Sequence, residues 1–332
     1  MPLDRHARRF LEMLAAAGQT RGRYGDVIER RRALADLVDL VDPPGMETIG
    51  GVRDQPLDVN DGIITLRTYS PLGKPERLLP GLLFFHGGGW VAGNLETHDG
   101  LCRRLCNESG CRIIAVNYRL APEHAFPAAL DDAFAALSHV AANPREFGID
   151  PDCLGVAGDS AGGGLAAALC REARDRNGPK IAFQFLICPI LDVARESAAR
   201  TELRDGYFLD AETLARDLEL YCSGADLSDS RLSPLLASDC TGLPPAYIHT
   251  AQFDPFGDEG EAYAAKLSDV GIAVHGRNHP GMIHFFYCMQ RMIPYARQAA
   301  QIMGAEIRYA AQLPPPVERR RQKRTRPDLI RS

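Results

Sequence analysis

Apolar positions along this chain change their spacing several times, and each change predicts an element. Over residues 4–17 and 26–41 they recur every three or four positions between charged side chains, which predicts two amphipathic helices. The first closes at Gly18. The second, with Val27, Ile28, Leu34, Leu37, Val38 and Val41 roughly on one stripe, stops before Pro43-Pro44. Strand-like runs follow at 47–52, 63–69 and 78–85. Short, apolar, β-branched runs at 111–118 and 153–158 have the composition of buried parallel strands. Helical spacing at 97–109, 128–141 and 161–176 separates them, and further strands are predicted at 182–187, 246–250 and 272–277. Between 192 and 236 the rhythm breaks into one helix, 211–221, and polar turns.

Alternation of this kind predicts an α/β fold with a mostly parallel central sheet and helices on both faces. Ligands of such sheets bind outside the C-terminal strand ends, so the chemistry is expected immediately after strands. Three regions result: an N-terminal helical cap segment at 1–44, a main α/β domain at 45–312 with a cap insertion at about 192–236, and a basic tail at 313–332. The two helical pieces are expected to pack together as a lid over the sheet edge.

Composition narrows the function classes. The chain has 332 residues, 45% of them hydrophobic, and a net charge of −5. Seven Lys/Arg against two Asp/Glu crowd the stretch from Pro314 to Ser332, so the body is more acidic than the total suggests. An acidic body argues against nucleic acid as a partner, and the tail reads as a solvated, disordered extension. No run approaches the roughly 18 apolar residues of a membrane span. Arg8, Arg9 and Glu12 interrupt the N-terminal apolar residues, so no signal-peptide core is expected there. Nine scattered cysteines suggest reduced thiols in a cytoplasmic protein. His98, Cys102 and Cys106 stand at helical spacing and could share a face. Small buried thiols beside Leu101 and Leu105 are the reading, and no metal is expected.

Two glycine-rich segments carry the chemistry. Gly158-Asp159-Ser160-Ala161-Gly162 follows the strand at 153–158 and opens the next helix, the G-x-S-x-G pattern of a nucleophile elbow. A sharp strand-to-helix turn would lift the Ser160 hydroxyl to a helix N-terminus, where a developing anion is favoured. A dinucleotide-binding glycine loop fails on spacing and on its place late in the chain, and no Gly-Lys-Ser/Thr supports a phosphate loop. His86-Gly87-Gly88-Gly89-Trp90 follows the strand at 78–85. Its backbone N–H groups could converge on a carbonyl oxygen that gains negative charge; a flexible glycine loop is the competing reading.

Together these segments resemble the hormone-sensitive-lipase-like family of α/β-hydrolase esterases. The resemblance continues through residues 117–124, Phe126-Pro127-Ala128-Ala129, Leu243-Pro244-Pro245, Asp254-Pro255 with Asp258-Glu259-Gly260, and Gly281-Met282-Ile283-His284, covering roughly 45–290. It implies the α/β-hydrolase fold and a catalytic triad of Ser160, Asp254 and His284, with an oxyanion hole from the N–H groups of Gly88, Gly89 and Ala161. Asp258 and Glu259 compete for the acid's place and are expected to be solvated on the following helix. His249 and His275 compete as strand residues, and His279 lacks the G-M-x-H setting. His86 is expected to be structural, Arg119 and Glu123 to pair four residues apart, and Asp159 to support the nucleophile. Trp90, Tyr207, Phe208 and Phe285 are candidate substrate-pocket residues, and Tyr118 is either a pocket or a core aromatic. Departures from the family pattern are Phe256-Gly257 within the Asp254 motif, Phe285 after the histidine, and Gly164 in place of a frequent asparagine. Phe285 bears on pocket shape.

The expected function is cofactor-independent hydrolysis of short- to medium-chain acyl esters through an acyl-enzyme. The partner is a small-molecule ester, without nucleic acid or integral membrane association; homo-oligomer formation stays open. An amidase using the same triad is the alternative. A non-catalytic binder, as in the plant gibberellin receptors that share this fold but lost the histidine, is disfavoured by His284.

Overall fold

The computed structural model describes residues 1–17, 26–73 and 78–311. The basic tail at 313–332 and the closing Gly18 lie outside these residues. One eight-stranded sheet forms the centre, ordered β1-β2-β4-β3-β5-β6-β7-β8. These strands are β1 (Gly51–Val59), β2 (Gly62–Ser70), β3 (Leu79–Phe85), β4 (Arg112–Asn117), β5 (Ile149–Asp159), β6 (Gln184–Ile187), β7 (Ala246–Phe253) and β8 (Val274–Ile283). β1 and β2 pair antiparallel, as do β2 and β4, and the remaining pairings are parallel.

The predicted strand at 47–52 is displaced. β1 begins at Gly51 and runs through Arg53, Asp54 and Asp58, facing solvent along much of its length. Its register is set by the two-residue turn that pairs Val59 with Gly62. Charges and Pro56 suit an edge strand, where they blunt pairing with other chains, and they also break the apolar alternation that marks a strand in sequence.

Ten helices surround the sheet among the described residues: α1 (Arg5–Ala16), α2 (Val27–Val41), α3 (Asp99–Ser109), α4 (Ala128–Ala142), α5 (Pro144–Phe147), α6 (Ala161–Asp175), α7 (Ala198–Glu202), α8 (Ala211–Cys222), α9 (Gly257–Asp269) and α10 (Tyr295–Ala310). α3 and α10 pack together, as do α4 and α6. Leu82 and Phe84 belong to one apolar layer and Leu83 and Phe85 to the other, so alternate residues of β3 feed both cores.

The N-terminal helices are tied to this body. Asp4 caps α1 by accepting from His6 and Ala7, and its own N–H donates to the carbonyl of Gly281 in β8. Arg31 of α2 donates to the carbonyls of Val91 and Ala121 at 2.8 and 2.9 Å. At the far end of α2, Asp42 and Arg104 form a buried bidentate ion pair at 2.8 and 2.6 Å. A lone buried charge is costly, so the pair fixes where α2 ends relative to α3.

Candidate active site

Four strands end at one edge, and each is followed at once by a residue singled out from sequence. His86 to Gly89 follow β3, Ser160 follows β5, Asp254 follows β7 and His284 follows β8. Parallel pairing of β3, β5, β6 and β7 keeps these ends level. The site is therefore a product of register.

Ser160 occupies a strained turn, with φ +53° and ψ −121°, between β5 and α6. A side chain on Gly158 would collide with the Gly162 carbonyl, and one on Gly162 would meet the carbonyls of Phe85 and His86. Glycines at both flanks permit this close crossing, and the surrounding packing sustains the unfavourable serine conformation. Ser160 Oγ lies 3.0 Å from His284 Nε2, and His284 Nδ1 lies 2.8 Å from Asp254 Oδ2. Asp254 Oδ1 accepts from the Phe256 N–H at 2.9 Å, which fixes the carboxylate plane. All three side chains are buried, and the Phe256 ring packs edge-on against the imidazole. Such a relay lets a hydroxyl lose its proton to an imidazole whose other nitrogen is held by a carboxylate.

Gly88 and Gly89 have φ +120° and +67°. Among the described residues, no protein acceptor takes the N–H groups of Gly88, Gly89 or Ala161. All three residues lie beside Ser160, Ala161 as the first residue of its helix. The loop is held from behind by Asp159, which accepts from Gly87 N at 2.9 Å, His98 Nε2 at 3.2 Å and Tyr287 Oη at 3.0 Å. Burial by itself raises the Asp159 carboxyl, but the His98 ring and the hydroxyl of Tyr287 outweigh it and hold the carboxyl below the ordinary range. His86 Nδ1 sits 2.9 Å from the Gly87 carbonyl, and burial drives its pKa down to about 3. It is a neutral scaffold ring, stacked on Tyr118, whose hydroxyl donates to the His86 carbonyl at 2.6 Å. Tyr118 is a core aromatic.

A cavity of about 230 Å³ opens above Ser160 and His284. Phe208 and Phe285 line it, their rings stacked 5.8 Å apart. Trp90 and Tyr207 are not in its wall. Trp90 stacks on Tyr221 at 4.4 Å, and Tyr207 stacks on Phe253 at 5.4 Å. Leu14 of α1, Leu34 and Leu37 of α2 and Leu214 of α8 also line the cavity, although the sequence offered only their helical stripes as a signal.

One expected pairing and one expected exposure are corrected. Arg119 binds Asp132, with Nη2 to Oδ1 at 2.7 Å, and Glu123 binds Arg31 at 2.6 Å, so the two do not pair with each other. Long side chains were free to reach partners far along the chain. Glu259 is not solvated: it accepts from Leu191 N, Asp192 N and Arg200 Nε at 2.7, 2.9 and 2.8 Å, anchoring the segment after β6 to α9. Asp258, in contrast, is exposed on α9 as expected, and accepts from Ala199 N. His98, Cys102 and Cys106 do not act together. His98 faces Asp159, while Cys106 Sγ donates toward the carbonyls of Tyr69 and Cys111. His249 and His279 hydrogen-bond each other in the core at 2.9 Å, and His275 is an exposed residue of β8.

Comparison with known proteins gives the geometry its setting. A family model described as the α/β-hydrolase fold matches residues 82–288. The chain belongs to the hormone-sensitive-lipase-like family of α/β-hydrolase esterases. It is 38% identical to carboxylesterase NlhH of Mycobacterium tuberculosis over 274 residues, covering 80% of this chain and 85% of that protein. It is 34% identical over 310 residues to an arylesterase of Saccharolobus solfataricus, covering 93% of this chain and 99% of that one. Among solved structures, an ester hydrolase from the metagenome of Lake Arreo, complexed with a bipyridine phosphonate derivative, superposes with a TM-score of 0.87 and 41% identity. It covers 92% of this chain and 98% of its own. No helix among the described residues is long and apolar enough to cross a membrane.

Proposed function

We propose that this esterase is a serine carboxylesterase in which Ser160 is the nucleophile, His284 the general base and Asp254 the residue that orients it. Ser160 Oγ attacks the ester carbonyl as His284 Nε2 takes its proton. Asp254 holds the Nδ1–H and favours the imidazolium that forms. The carbonyl oxygen, now negative, is met by the N–H groups of Gly88, Gly89 and Ala161, each worth roughly 2.7–4 kcal/mol of barrier where such donors have been removed. The alcohol leaves with the proton from His284, and water then releases the acid by the reverse relay. The observation that carries this reading is the continuous Ser160–His284–Asp254 hydrogen-bond chain at the floor of a cavity. The names of the relatives, carboxylesterase and arylesterase, agree with it.

Segments 1–44 and 192–236 are proposed to form the cap. In support, Leu14, Leu34 and Leu37 from the first and Phe208 and Leu214 from the second share one cavity wall. A cavity of this size, lined by the Phe208–Phe285 stack, suits short to medium acyl chains. All nine cysteines are free thiols, which suits the cytoplasm. A series of 4-nitrophenyl esters with acyl chains from two to sixteen carbons tests the assignment. Turnover should be greatest for short chains and negligible at the longest; a maximum at the longest chains would contradict this cavity.

A further inference from the structure

The cavity wall joins apolar side chains to polar ones, Asp159, Asp210 and Thr213 among them, and carries one ion pair. Arg30 of α2 donates from Nη2 to Asp217 Oδ2 of α8 at 3.0 Å, with side-chain exposures of 14% and 7%. Both residues line the cavity that holds Ser160 and His284. Asp217 also presses against the loop that follows β3. A side chain on Gly89 would collide with Asp217 Oδ2, so a cap carboxylate touches the backbone beside the proposed oxyanion site. Burial pushes the Asp217 carboxyl up to about 6, even though Arg30 draws it down. A carboxylate placed there opposes the charge that develops during ester attack, and it gains from any further donor that enters the cavity.

We propose that Asp217 is a specificity-determining residue and that the cavity favours esters carrying a hydroxyl close to the ester carbonyl, which donates to Asp217 beside Gly89. This rests on the esterase reading above. The sign of the pair selects the chemistry. An ammonium group at Asp217 would sit beside the Arg30 guanidinium, and a substrate carboxylate would meet both Asp217 and Asp210. A hydroxyl brings a donor without burying a charge. An unsubstituted chain, in contrast, displaces water from Asp217 and returns nothing to it. A site built to bind a substrate hydroxyl discriminates against the analogue that lacks it, because its carboxylate then has Arg30 but no donor from the substrate.

The test compares kcat/KM for ethyl 3-hydroxybutyrate, ethyl butyrate, ethyl 3-aminobutyrate and monoethyl succinate, at about pH 8 where a carboxyl of this kind is ionised. The wild type should prefer the hydroxy ester to ethyl butyrate by about ten-fold, with both charged analogues slower than ethyl butyrate. Asp217→Asn should lose most of that preference, and Asp217→Leu should reverse it in favour of ethyl butyrate. A wild type that hydrolyses ethyl butyrate at least as well as the hydroxy ester overturns the proposal. So do variants that slow both esters alike with the ratio intact, because that makes Asp217 only a tie between α2 and α8. Failure to hydrolyse any of the four esters would instead sink the esterase reading.

Discussion

Asp159 shows how one buried carboxylate can serve several catalytic segments. It precedes Ser160, accepts from the loop of Gly87, and receives Tyr287, three residues beyond His284. Its carboxylate is taken up by Gly87, His98 and Tyr287 and has no part on the reacting atoms in the mechanism proposed above, so it acts by positioning. In Asp159→Asn the amide keeps one acceptor but turns a donor toward His98 or Tyr287, both of which are donors there. We expect kcat to fall about ten- to a hundred-fold, less than for loss of a complete oxyanion donor, with KM and melting temperature nearly unchanged. Steady-state kinetics beside a melting curve decide this, and a change in KM alone would contradict it. At this scale much of the site was legible. The elbow around Ser160 was readable because its glycines answer to local backbone geometry. Arg119, Glu123 and Glu259 mislead in sequence because their partners lie 13, 92 and 59 residues away, where no local spacing reports them.

Among elements, α1 and α2 are the informative case. Their apolar stripe was evident, and it predicted burial somewhere; which surface received it was not. In the structure Phe10 of α1 lies 6.2 Å from Phe208, and Phe208 stacks on Phe285 next to His284. The helices thus reach the histidine through two aromatic contacts. Deleting residues 1–40 removes Phe10, Leu14, Leu34 and Leu37 from this arrangement. The truncated chain should retain Ser160-dependent turnover, show a raised KM and a shifted acyl-chain preference, and be less soluble as apolar surface is exposed. An unchanged substrate profile and stability would mean that these helices are a peripheral arm. β1 makes the complementary point, since its charged, solvent-facing pattern hid a strand that only pairing with β2 reveals.

Over the whole molecule, buried neutral histidines tie stability to pH. His279 lies in the core between His249 and Tyr295, and burial depresses its pKa to about 3 from an ordinary 6.5. Above pH 6.5 neither the native nor the unfolded chain protonates this residue. Between 6.5 and about 3 the unfolded chain takes a proton that the native state refuses. Stability contributed by His279 is therefore full above that window and is lost as pH falls through it, by about 1.4 kcal/mol per pH unit at most. His279→Gln keeps a donor for His249 but cannot titrate. Its melting temperature should fall less steeply than that of the wild type between pH 6.5 and 4, whatever its value at neutral pH; parallel curves would contradict the assignment. The most direct test of the central claim is intact-protein and peptide mass spectrometry after reaction with an alkyl fluorophosphonate. The account predicts one adduct, located on Ser160, with loss of ester turnover in proportion to labelling, no adduct in Ser160→Ala, and about a 10⁶-fold loss of rate in that variant. Labelling at another residue, or a pure Ser160→Ala preparation that still hydrolyses esters at the wild-type rate, would contradict it.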